Sequence, residues 1–155
     1  MARRLKRVPE DVATCLQAAE RLCRARNGNL TPLRRKVLTA LLEADAPIGA
    51  YDLLARISHP RKAMPPTIYR TLDFLLEMGL IHRIASLQAF MPCRHWDHPH
   101  TPAMLLCSEC GRVDELDVDS IMADFASEAA SVAFKSDRAV IEIHGSCPDC
   151  RRQGK

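Results

Sequence analysis

Four cysteines in two Cys-x2-Cys pairs, Cys107 with Cys110 and Cys147 with Cys150, are the residues of this chain best spaced for chemistry. Two residues between thiolates let both sulfurs of a knuckle reach one ion, and two knuckles complete the tetrahedron that zinc prefers. The 36 residues between the pairs exceed the length of a simple finger, so folded elements must bring them together. A closed four-thiolate site has no open position for a substrate; its role is to hold a small domain folded.

A second donor set has a different character. It comprises His82, Cys93, Glu115 and one histidine of the 94–102 stretch, for which His95, His98 and His100 compete. Two imidazoles, one thiolate and one carboxylate suit zinc, and their charges cancel the ion where four thiolates would leave a net −2. Such a site releases its metal more readily. Its donors also flank the 94–102 stretch, so a shared ion would fix one half of the chain against the other. His144, beside Gly145, reads as a structural residue near the second knuckle, and Cys15 and Cys23 fit an apolar helix stripe.

The elements that must position these donors follow from periodicity. Val12, Cys15, Leu16, Ala19, Leu22 and Cys23 recur at helical spacing until Asn27-Gly28, and Thr31-Pro32 opens a second helix carrying Leu33, Val37, Leu38 and Leu41. A short third helix holds Leu53, Leu54 and Ile57. After a loop at 58–64, Pro65-Pro66-Thr67 opens a fourth, ended by Gly79, with Ile68, Leu72 and Leu75 on one face and Thr67, Tyr69 and Arg70 off it. Strand-like runs at 80–85 and 89–93 then form a hairpin, and helices followed by a hairpin make a winged helix. Residues 94–102 read as a hinge. Beyond it, strands at 103–106 and 112–118, a helix capped by Asp119 or Ser120, and a strand at 139–143 predict a small α/β domain.

Charge divides at the same place. Residues 1–92 carry 15 basic and 8 acidic side chains, a net +7, against −4 for residues 93–155. The basic half meets the requirements for a DNA reader. Arg70 can donate two hydrogen bonds to guanine, Tyr69 can touch a thymine methyl or a phosphate, and Thr67 can bind phosphate. Arg34 and Arg35, early in the second helix, are phosphate-contact candidates, as is the basic N-terminal arm. No apolar run nears the roughly 20 residues needed to span a bilayer, and the arginine-rich start lacks the apolar core of a signal peptide, so the cytoplasm is expected.

Taken together, Leu30-Thr-Pro-Leu-Arg34, Pro66-Thr-Ile-Tyr-Arg-Thr-Leu72, Gly79-Leu-Ile-His82 and the two knuckles, Cys107-Ser-Glu-Cys110 and Cys147-Pro-Asp-Cys150, resemble in order the ferric uptake regulator family of bacterial metal-dependent repressors. Ala50-Tyr51-Asp-Leu-Leu54 and His100-Thr-Pro-Ala-Met104 are similar to its zinc-uptake branch. Where iron and peroxide sensors typically carry histidines, this chain has Pro47 and Met104.

The resemblance implies an α+β protein. Residues 1–93 would form a winged-helix DNA-binding domain, 94–102 a hinge, and 103–155 a dimerisation and zinc-binding domain. It selects His100 among the hinge histidines, giving regulatory zinc at His82, Cys93, His100 and Glu115. Structural zinc would lie at Cys107, Cys110, Cys147 and Cys150, two ions per chain. The implied partners are double-stranded operator DNA and a second copy, with no membrane and no small organic substrate. The implied function is a zinc-responsive repressor of zinc uptake genes; an iron, manganese or peroxide sensor on the same fold is the alternative. A zinc hydrolase would need three protein ligands and a water, whereas each set here supplies four protein ligands, so no enzyme is expected.

Overall fold

The computed structural model describes residues 11–57, 65–96, 98, 100–136 and 139–153. The basic arm and the 58–64 loop lie outside these. The chain runs α1 (Val12–Ala25), α2 (Pro32–Leu42), β1 (Ile48–Gly49), α3 (Ala50–Ile57), α4 (Pro65–Glu77), β2 (Ile81–Ile84), a one-turn 3-10 helix (Ala85–Leu87) and β3 (Ala89–Pro92). It continues through β4 (Pro102–Cys107), β5 (Val113–Asp117), α5 (Asp119–Ser131), β6 (Ile141–Gly145) and α6 (Pro148–Arg152). The fold is α+β: a winged helix, then a small α/β unit. Among the described residues no helix is long and apolar enough to cross a membrane.

Local chemistry explains the helix limits. Asp11 caps α1 by accepting the Thr14 amide at 2.9 Å, and Thr31 caps α2, with Pro32 in the first turn where its missing N–H costs nothing. The end of α4 turns on Gly79, whose φ of +68° puts it in the left-handed region. There the Leu80 amide reaches back to the Leu75 carbonyl at 2.9 Å, closing the helix and aiming the chain straight into β2.

The apolar stripes read from the sequence meet in one core. Leu16, Ala19 and Cys23 of α1, Val37, Leu38 and Leu41 of α2, Leu53 of α3 and Ile68, Leu72 and Leu75 of α4 pack on Ile48, Ile81 and Phe90 of the wing sheet. That sheet has the order β1-β3-β2, all antiparallel. The second sheet has the order β5-β4-β6, with β4 antiparallel to β5 and parallel to β6. One of its faces packs Met104, Leu106 and Val113 against Ile84 and Met91 of the wing, so an apolar seam joins the two sheets.

Four features depart from expectation. β1 is two residues long, below the reach of any periodic signal, and pairs with β3 through Ile48 and Phe90. α6 is a single short turn built on the second knuckle. The third strand of the α/β unit runs two residues later than expected, at Ile141–Gly145. Val118, with no side-chain bond, stands at the α5 cap position; the Asp119 carboxylate instead accepts the Thr101 amide at 2.6 Å, tying the end of the hinge to the helix start. None of the 13 residues of α5 is buried, and Ile121 (50% exposed), Phe125 (62%) and Ile143 of β6 (52%) face outward.

Leu72 is 1% exposed and anchors α4 to the core. Leu72→Ala should cost about 2 to 5 kcal/mol of unfolding free energy, measured by urea titration of the zinc-loaded protein. A loss below about 1 kcal/mol would show that α4 is held by something other than this packing.

Candidate metal centres and nucleic-acid interface

The first centre is assembled by strand register. Cys107 closes β4, Gly111 at φ +70° completes the first knuckle, and the Ser108 amide bonds the Gly145 carbonyl at 2.7 Å, drawing the end of β6 alongside. Cys147 then stands at the N-terminal cap position of α6 with Cys150 within its single turn. The sulfurs of Cys107 and Cys150 are 3.9 Å apart, those of Cys110 and Cys147 3.7 Å, and all four fall within 4.8 Å of one another. Tetrahedral zinc with bonds of about 2.3 Å places its sulfurs about 3.8 Å apart, so the donor set fits that ion.

Charge supports the same fit. Amides of Cys110 and Cys147 directed at the Cys107 sulfur lower its thiol pKa to about 6, whereas burial and the adjoining sulfurs push Cys150 up to about 12. One thiolate forms easily; four side by side require a cation. Arg112 braces the outer side, its guanidinium bonded to Asp114 at 2.7 Å and to Asp149 of α6 at 3.0 Å.

The second centre joins three parts of the chain. β2 supplies His82, the residue after β3 is Cys93, the segment leading into β4 supplies His100, and β5 contributes Glu115; one donor atom from each lies within 4.8 Å of the others. Oε1 of Glu115 is 2.6 Å from His100 Nε2, 3.1 Å from His82 Nε2 and 3.8 Å from Cys93 Sγ. The side chains of Glu115, His100 and His82 are 0%, 4% and 13% exposed, so little water reaches them. The Arg94 amide donates to the other carboxylate oxygen at 3.0 Å, fixing the direction in which Oε1 points.

Protonation shows what the arrangement demands. His100 Nδ1 lies 3.2 Å from the His98 carbonyl, an acceptor only, so Nδ1 carries the proton and, in a neutral ring, Nε2 presents a lone pair to Glu115. Two acceptors 2.6 Å apart need a proton or a metal ion between them. Burial pulls the Glu115 pKa up, but bonding to His82 first, then to His100 and the Arg94 amide, outweighs it and holds the carboxyl at about 2. Burial, with the Glu115 charge second, pushes the Cys93 thiol well above its usual value. A metal entering here must displace that thiol proton. His95 Nδ1 stands 3.4 Å from Oε1 at the rim, and His98 pairs instead with Asp117 at 3.2 Å, leaving His100 the best placed of the three.

On α4, Thr67, Tyr69 and Arg70 are exposed while Ile68 and Leu72 face the core, so the polar side of the helix is turned to solvent. Arg34 and Arg35 are engaged within the chain. The Arg34 guanidinium lies 3.3 Å over the Phe74 ring and donates to the Asn29 carbonyl at 2.6 Å, and Arg35 pairs with Glu20 at 2.8 Å. One residue went unread: Tyr51 is 70% exposed at the start of α3 and lines, with Tyr69 and Arg83, a groove of about 370 Å³ between α3, α4 and the wing. Its signal was an aromatic off the Ala50, Leu53, Ile57 stripe.

Known proteins carry the same plan. The zinc uptake regulation protein of Escherichia coli (strain K12) is 42% identical over 138 residues, covering 87% of this chain and 80% of that protein. A zinc uptake regulator solved in complex with zinc and DNA superposes with a TM-score of 0.85 at 39% identity, over 94% of this chain and 98% of that one. The holo form of XcZur, 32% identical, matches at 0.83 over 92% of this chain and 99% of that one, whereas its apo form matches at 0.52 over 91% and 98%. The chain therefore superposes better on the holo form than on the apo form. The ferric uptake regulator family model spans residues 26–144, from the end of α1 to the last strand, and on that breadth the chain belongs to this family.

Proposed function

We propose that the chain is a zinc-responsive transcriptional repressor that binds operator DNA as a zinc-loaded homodimer, in the cytoplasm, and controls zinc uptake genes. The observation that carries this reading is the origin of the second centre's donors: one lies in the wing hairpin and one just after it, one returns from the hinge and one belongs to the C-terminal sheet. An ion held by His82, Cys93, His100 and Glu115 makes the relative placement of the two halves depend on zinc. The ion at Cys107, Cys110, Cys147 and Cys150 lies wholly within the C-terminal unit and serves to fold it.

Domain limits of 1–93, 94–102 and 103–155 suit this division, with the hinge docked at Thr101 and the C-terminal unit beginning in β4. A second copy is the fitting cover for the apolar face of α5 and β6, where Phe125 and Ile143 stand exposed. With two copies joined there, two α4 helices can enter successive major grooves. Arg70 would read guanine, Tyr69 and Thr67 would contact backbone or thymine, and Tyr51 extends the same face. Arg34 and Arg35 would act at phosphates only by giving up part of their present pairing.

Zinc regulates by binding the DNA-competent arrangement more tightly than the others; equal affinity for all would shift nothing. The likeness to holo rather than apo XcZur supports the closed arrangement as that state. Among zinc, iron and manganese, the metal that restores operator binding to demetallated protein at the lowest free concentration tests the reading. Restoration by iron or manganese alone would replace it with the corresponding sensor.

Four substitutions separate the parts. Cys110→Ser, opening the four-sulfur site, should lose tightly held zinc and the dimer together, read by metal analysis and equilibrium sedimentation; a zinc-replete dimer would remove the structural role. Glu115→Ala or His82→Ala should keep one zinc per chain and an intact dimer while losing zinc-dependent operator binding, and a wild-type response would place sensing elsewhere. Arg70→Ala should weaken operator binding by about 1 to 3 kcal/mol per lost guanine contact and leave nonspecific DNA nearly unaffected at fixed salt. Equal weakening on both DNAs would make Arg70 a phosphate contact.

A further inference from the structure

Glu142 of β6 reaches out of the C-terminal sheet to the tip of the wing. Its Oε1 accepts the Ala85 amide at 2.5 Å, and its two oxygens lie 3.3 and 3.2 Å from the Ser86 amide. These amides belong to the 3-10 turn between β2 and β3, and no side chain of the turn itself caps them. A half-buried carboxylate more than fifty residues away in sequence thus satisfies donors that the turn leaves open.

Register gives this contact its meaning. Met104 of β4 pairs with Glu115 on one side and with Glu142 on the other, so the three side chains stand in one row on one face of the sheet. The wing lies over that row in matching order. His82 meets Glu115, Ile84 and Met91 cover Met104, and the turn after Ile84 meets Glu142. Because β2 rises about 3.3 Å per residue, the contacts of His82 and of Ala85 and Ser86 are separated by roughly 10 to 13 Å along the wing.

We propose that Glu142 is a positioning residue that acts as a second, metal-independent coupling point between the wing and the C-terminal sheet. The proposal rests on the zinc-switch reading above and deepens it. A single attachment at the metal leaves the wing free to swing about that point, and an apolar seam resists lifting but not sliding. A directional carboxylate at the far end removes the swing. Zinc then completes an arrangement that Glu142 already favours, so the free zinc needed for operator binding depends on a residue that never touches the ion. This is conformational bias of the binding-competent state, with Glu142 setting its population.

The test uses the full-length dimer with zinc bound at the knuckles, comparing wild type, Glu142→Ala and Glu142→Gln. Amide nitrogen–proton correlation spectra of Ala85 and Ser86 report the contact itself, and operator binding against buffered free zinc reports its effect. Glu142→Ala should shift both amides upfield and raise the half-maximal free zinc roughly three- to tenfold, with thermal midpoint, zinc content at saturation and dimer mass unchanged. Glu142→Gln, which keeps an acceptor, should recover part of the shift. Unmoved amides in Glu142→Ala, or moved amides with a wild-type zinc midpoint, would overturn the proposal. If wild type itself needs no zinc for operator binding, the zinc-switch reading fails, while the amide shifts still report whether the latch exists.

Discussion

One buried carboxylate holds the molecule's two halves in register. Glu115 sits on the C-terminal sheet with none of its side chain exposed, and two imidazoles and a thiol from other parts of the chain converge on one of its oxygens. An anion so placed is costly unless positive charge joins it, because neither water nor counterions can reach it. The chain supplies only neutralisable partners there, so the site is strained toward whatever cation it meets. On the proposed reading, the three segments would each contribute part of one ion's coordination, and each alone would leave a buried charge unmatched.

The four-sulfur centre follows a contrasting logic. Its donors come from strand ends and turns already linked by backbone bonds, as in the Ser108 to Gly145 contact, so an ion there would consolidate a geometry that the sheet has set. Four thiolates would hold zinc with excess negative charge; the mixed site would hold it neutrally. On the proposed reading, retention at one and exchange at the other would be consequences of donor type.

The helices were legible because Ile68, Leu72 and Leu75, or Leu38 and Leu41, recur at a period that only a helix buries. The knuckles were legible because paired Cys-x2-Cys spacing is rare by accident. The mixed site was only half visible: His82, Cys93 and Glu115 could be named, but spacing left His95, His98 and His100 open and only the family resemblance chose His100, whose Nε2 lies 2.6 Å from Glu115 Oε1. β1 and α6 are too short to leave a period. Glu142 carried no signal, since a lone acidic residue in a strand looks the same whether it meets water or a distant turn. The pairing of Arg34 with Phe74 and Asn29 was equally hidden, being a matter of what lies opposite.

The left-handed turn at Gly79 welds α4 to β2 with no slack: the Leu80 amide bonds into the last turn of the helix, and His82 follows two residues later. Reading helix and metal-binding strand are therefore one lever. α4 alone is about 20 Å long, so a rotation of only about 10° at the metal end displaces the far end by roughly 3.5 Å. That is the rise of one base pair on DNA whose half-sites repeat every 34 to 36 Å. On the proposed reading, a coordination sphere that fixes angles to a few degrees would choose between two helices in register with successive grooves and two helices one step out of phase, making zinc a setting of pitch rather than a source of binding energy.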